Sequence, residues 1–149
     1  MTGFAHKCNS TPSAVRFKIG DKASMKKTIT DRDILLIAEL IGDYNPVHMD
    51  DDYAAATRFK GRIAHGELIT GLISALIGNV LPGHGTIYLS QNVSFLKPAR
   101  PNDTIAVTVE IVDIAQEKPI MDLEVICENQ LGQVILRGHY VVLKETVEK

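Results

Sequence analysis

The chain has 149 residues, 45% of them apolar and 23% charged, with a formal net charge of -2 at pH 7. That is the length and composition of one soluble globular domain with room for a real core, and it lacks the basic field that a nucleic-acid binder needs. Cys8 and Cys127 are too isolated for a disulfide framework or a metal site, which fits a reducing cytoplasm, and no apolar run reaches the eighteen or so residues of a membrane span.

Residues 1–21 read as a flexible start. The first twenty hold Lys7, Arg16 and Lys18 and no acid, a composition that a mitochondrial presequence would share, although the stretch is short and broken by proline. From Lys22 onwards a single domain is expected. Lys22 to Thr30 alternates as a first strand, and Thr30 and Asp31 cap a helix from Asp31 to Ile41 with Ile34, Ile37, Ala38 and Ile41 on its buried face. Gly42 ends that helix. Pro46 fixes its own φ and pushes Asn45 out of the α region, so Asp43 to His48 is expected to be a rigid, non-helical turn.

Asp50, Asp51 and Asp52 begin a short helix to about Thr57. They lack the alternating acids and central glycine of a calcium loop, so they read as helix caps, and no metal is expected. Gly66 to Leu81 is a helix apolar nearly all round, which implies burial on most sides, and Pro82-Gly83 breaks it. Thr86 to Lys97, Thr104 to Ala115, Ile120 to Glu128 and Val134 to Lys144 then read as strands. Successive strands after one buried helix predict an α+β fold with an antiparallel sheet wrapped around that helix.

The chemistry concentrates between Asp43 and Gly66. A carboxylate at 43, an amide at 45 and an imidazole at 48 on one stiff turn are suited to holding a single water. His48 is matched to proton transfer near neutral pH, Asp43 is a second proton-handling group, and Asn45 orients the water or braces the turn. Gly66 opens the buried helix, where backbone N–H groups lack partners and the dipole is positive, so its N–H is the candidate oxyanion donor. Ser74, two turns on, is a candidate to line the site. Thr70, Ile73 and Ile77 share the Gly66 face and are candidates for the wall of a substrate pocket. Ile73 and Ile77 are β-branched and stiff, which leans towards a short substrate tail. His65 is read as a structural residue at the helix start, and His84, His139 and His6 as uninvolved. Arg58, Lys60, Arg62, Lys97 and Arg100 are candidate contacts for phosphate groups.

The run Gly42-Asp43-Tyr44-Asn45-Pro46-Val47-His48 with Asp50 resembles the signature of the MaoC-like family, best known for (R)-specific enoyl-CoA hydratases. The resemblance continues through Arg62-Ile63-Ala64-His65-Gly66, Leu81-Pro82-Gly83-His84-Gly85 and Tyr88-Leu89-Ser90-Gln91, and it covers the chain from about Lys22. It implies a hotdog fold, a homodimer formed by joining sheets, and catalysis by Asp43 and His48, with Tyr88 added to the substrate-binding residues. The substrate would be a 2-enoyl thioester of coenzyme A or of acyl carrier protein, with no cofactor beyond the coenzyme A it carries. Related activities to keep in view are 3-hydroxyacyl-thioester dehydration, thioester hydrolysis and non-catalytic acyl-CoA binding.

Overall fold

The computed structural model describes residues 17–145, so most of the expected flexible start lies outside the described residues. Phe17 already packs against the core, and the Gly20 N–H donates to the Ile111 carbonyl at 2.8 Å. The elements in chain order are β1 (Lys22–Thr28), α1 (Asp31–Ile41), α2 (Pro46–Met49), α3 (Asp51–Ala56), α4 (Gly66–Asn79), β2 (Thr86–Phe95), β3 (Thr104–Ile114), β4 (Ile120–Glu128) and β5 (Val134–Lys144).

All strand pairs are antiparallel, in the order β1-β3-β4-β5-β2, so β1 and β2 form the two edges. The sheet curls around α4, which is the hotdog arrangement. Val107, Val109 and Ile111 of β3, Leu123, Val125 and Cys127 of β4, and Leu136, Tyr140 and Val142 of β5 close on Ile69, Leu72, Ile73, Leu76 and Ile77 of α4. Strand alternation sends every second residue inward. Gly71 and Gly78 weaken α4 as an isolated helix, so its stability comes from this packing. Each fully enclosed Ile or Leu contributes about 1.5–3 kcal/mol.

Local signals fix the ends of the helices. Thr30 and Asp33 form a reciprocal capping box at the start of α1, and Gly42 closes it in the left-handed region at φ 76°. α4 stops two residues earlier than the pattern suggests. The Leu81 N–H still reaches back to the Leu76 carbonyl at 3.1 Å, and a cis Leu81–Pro82 peptide follows. No helix among the described residues is long and apolar enough to cross a membrane.

Candidate active site

The stretch from Asp43 to His48 is built differently from the sequence expectation. It does not stay non-helical, because Pro46 starts a one-turn helix, α2, that carries His48. A proline at the first helical position loses no hydrogen bond, and its fixed φ is already helical. The side chains around it complete the start: Asp43 Oδ1 accepts the Asn45 N–H at 3.1 Å, and Asn45 Oδ1 accepts the Val47 N–H at 3.3 Å. Asn45 thus braces the turn through its oxygen. The helical turn swings His48 inward to 11% side-chain exposure while Asp43 stays at 45%.

His48 Nδ1 lies 2.8 Å from the Ile63 carbonyl. A carbonyl only accepts, so in neutral His48 the proton sits on Nδ1 and Nε2 carries a free lone pair. That Nε2 is 3.9 Å from Asp43 Oδ2. Two hydrogen bonds of about 2.8 Å to a common oxygen span such a gap, so a single water fits between base and carboxylate. His65, 1% exposed, supports both groups. Its Nε2–H donates to the Asp43 main-chain carbonyl at 2.9 Å, and its ring stacks on His48 with centroids 3.9 Å apart. Its Nδ1 is buried without a partner. The structural role expected for His65 is therefore a specific one, as it holds the carboxylate's turn against the imidazole.

Among the described residues, Asp43, His48 and His65 form a cluster in which each offers a ligand atom within 4.8 Å of the others. A tetrahedral zinc with bonds of about 2.0–2.1 Å places its ligand atoms roughly 3.4 Å apart. The distances of 3.9 and 4.0 Å to Asp43 Oδ2, and the commitment of His65 Nε2 to a carbonyl, suit a water better.

Segment 62–65 holds this arrangement in place. Arg62 donates from Nε to Asp51 at 2.7 Å and from its Nη2 to Asp31 at 2.8 Å, tying the first turns of α3 and α1 together. The Asp51 hydrogen bond raises the Arg62 pKa against a smaller desolvation effect, and Asp31 adds to the rise. The Ile63 N–H donates to the Val47 carbonyl at 3.3 Å and the Ala64 N–H to the Ala99 carbonyl at 2.7 Å. The carbonyl that sets the tautomer of His48 is thereby fixed from both sides. Sequence reading treated Asp31 and Asp51 as caps and Arg62 as a loop cation. Their convergence is long-range and leaves no local signal.

His48 and Gly66 line one cavity of about 370 Å³, whose apolar walls include Ile69, Phe95 and Leu136 and whose lining also holds Arg58 and Lys97. The Gly66 N–H has no partner among the described residues. A Cβ at position 66 would stand 2.9 Å from Phe95 Cζ, so the glycine is also what lets the Phe95 ring lie against the helix start. The strand pattern marked Phe95 and Leu136 as sheet residues but gave no sign that they wall a site.

The other candidates are placed as follows. Thr70 is buried, and its hydroxyl donates to the Glu67 carbonyl and carboxylate, both at 3.1 Å. Ile73 and Ile77 are fully enclosed in the core and do not line the cavity beside His48, because their helix face is turned to the sheet. Ser74 is exposed on the described chain, beside Tyr88. The Tyr88 hydroxyl is buried beside the Ser74 hydroxyl; burial raises its pKa, and the Ser74 contact opposes the rise. Of the basic candidates, Arg62 is committed to its two acids and Arg100 to the Phe59 carbonyl, while Arg58 and Lys97 face the cavity.

Residues 16–130 match the family described as MaoC like domain. The chain belongs to the MaoC-like family. It is 43% identical over 126 residues to an (R)-specific enoyl-CoA hydratase of Rhodospirillum rubrum, covering 85% of this chain and 87% of that protein. A solved (R)-hydratase from A. caviae involved in PHA biosynthesis superposes with a TM-score of 0.85 at 36% identity, covering 89% of this chain and 100% of the other. Similarity to a mitochondrial 3-hydroxyacyl-[acyl-carrier-protein] dehydratase of Arabidopsis thaliana is lower, at 29% identity, covering 74% of this chain and 65% of that protein.

Proposed function

We propose that this MaoC-like protein is an (R)-specific enoyl-CoA hydratase, adding water to a trans-2-enoyl-CoA and reversibly dehydrating the (R)-3-hydroxyacyl-CoA. The observation that carries the reading is the free Nε2 of His48 standing 3.9 Å from Asp43 Oδ2, at a cavity that also presents the unpartnered Gly66 N–H. A water held between the two side chains gives one proton to the pair as its oxygen bonds to C3. The electrons of the double bond move towards the thioester carbonyl, whose oxygen takes the Gly66 N–H at the positive end of α4. A proton returned by the pair to C2 completes the addition and leaves Asp43 and His48 as they began. Asn45 keeps the carboxylate's turn in register. No metal or cofactor is called for, since coenzyme A arrives as part of the substrate. Arg58 and Lys97 supply positive charge for its phosphates.

A homodimer and a cytoplasmic location belong to the same reading. β2 is a ten-residue edge strand with Ile87, Leu89 and Phe95 about half exposed, and such an edge invites pairing with a second copy. Light scattering is expected to give a dimer or a multiple of it, and a monomer at micromolar concentration contradicts this part. The function itself is tested with crotonyl-CoA. The enoyl absorbance should fall while the thioester stays intact, and chiral analysis should find the (R)-3-hydroxy product. Release of free thiol would identify a thioesterase instead.

A further inference from the structure

Helix α1 turns only part of its apolar surface inward. Ile34 and Ala38 are buried, while Leu35, Leu36 and Leu40 are exposed, as are Ile41, expected on the buried face, and Tyr44 in the turn beyond. Leu36 is 49% exposed and Leu40 80%. At about 100° per residue, Arg32, Leu36 and Glu39 form the row opposite Ile34 and Ala38, with Leu35 and Leu40 flanking it. Apolar side chains gathered on one exposed face mark a contact surface.

The charges on this row are arranged for a second copy. Asp31 and Asp33, in the first turn, are paired with Arg62 and Lys27. Arg32 and Glu39 have no charged partner among the described residues. The helical rise puts them about 10 Å apart, too far to pair with each other. Each also stands at the unfavourable end of its helix, the cation near the positive N-terminus and the acid near the negative C-terminus. A face with a cation at one end, an acid at the other and leucines between is its own complement when a second α1 lies across it antiparallel. A two-fold axis between Leu35 and Leu36 sets Arg32 of each copy against Glu39 of the other, and Leu35 against Leu36.

We propose that the outer face of α1 is an interface between two copies of this chain. Leu35, Leu36 and Leu40 form its apolar centre, and an ion pair between Arg32 and the partner's Glu39 closes it on each side of the axis. The surface is separate from the β2 edge, so an assembly that uses both is larger than a dimer. It ends beside the turn that carries Asp43 and the exposed Tyr44.

The test is light scattering at micromolar concentration and low ionic strength, where ion pairs are least screened. The samples are wild type, Arg32→Glu, Glu39→Arg and the double variant. Each single reversal sets like charges against each other twice, once on each side of the axis, so each should have no more than about half the mass of wild type. The double variant restores both opposite pairs and should recover the wild-type mass. Neither reversal acts by weakening α1, since each puts a charge at the end of the helix that the dipole favours, and circular dichroism should show all four proteins equally folded. Equal masses for wild type and the single variants, as for a face left bare or kept for another protein, overturn the inference. So does a double variant that stays as small as the singles. The outcome is independent of the hydratase reading, which crotonyl-CoA hydration by the wild type decides separately.

Discussion

The Asp43–His48 region and the α4–β5 core solve opposite problems. In the first, position is set by directional hydrogen bonds that reach far along the chain: Ile63 to His48, Asp43 to His65, Arg62 to Asp31 and Asp51. In the second, position is set by shape, and the Tyr140 hydroxyl is buried without a partner among the described residues. The difference teaches where each task can be placed. Proton transfer needs atoms held to fractions of an ångström and is lost with small displacements. A pocket boundary needs only volume in the right place, and cores accept volume-conserving changes at modest cost.

Breaking the first region should have the largest effect. Asp43→Asn and His48→Ala are each expected to lower kcat by about 10²–10⁴, the usual contribution of a proton-transfer group, with the circular dichroism of the folded state retained. Breaking the second should show in stability. Ile77→Ala, at a fully enclosed position, is expected to cost about 2–5 kcal/mol in urea unfolding, and a loss well under 1 kcal/mol would mean the core is looser there than the packing implies.

Arg62 sharpens the comparison because it lies outside both reacting groups. Arg62→Ala frees the segment that carries the Ile63 carbonyl, and kcat should fall by up to about 10² as His48 loses its tautomer partner. Arg62→Lys should recover only part, since an ammonium cannot make the two-pronged contact to both acids. A loss of kcat that lysine fully restores would argue for charge rather than geometry. The smallest effect belongs to the capping box of α1. The hydrogen bond from Lys27 holds Asp33 down to about 2, with the Thr30 contacts adding and burial opposing. A carboxylate lowered in the folded state contributes stability above its unfolded value near 3.8 and loses it as pH falls from about 4 towards 2. Asp33→Asn should cost about 1 kcal/mol at neutral pH and flatten that acid limb of the melting curve.

Much of the architecture was legible because its signals are local. The cap at Thr30, the glycine stop at 42, the all-round apolar surface of α4 and the four strand-like runs after it all sit within a few residues of what they determine. Asp43, His48 and Gly66 were readable as a group because Pro46 and the helix start restrict their backbone. The one-turn helix at Pro46 was missed because the proline's effect on Asn45 was extended past the proline itself. The Arg62 ties, the Ile63 carbonyl and the Phe95–Leu136 wall were out of reach for a different reason: they join separate elements, eleven residues apart for Arg62 and Asp51 and thirty-one for Arg62 and Asp31, and only the folded chain brings them together.

The division of labour is tested most directly by kcat/KM of Asp43→Asn against a series of enoyl-CoAs of increasing chain length. If the turn performs the chemistry and takes no part in holding the acyl tail, the loss should be the same factor, within about 10²–10⁴, at every chain length, leaving the wild-type preference unchanged. Near-normal turnover by the folded variant, or a loss that grows or shrinks steadily with chain length, would contradict the account.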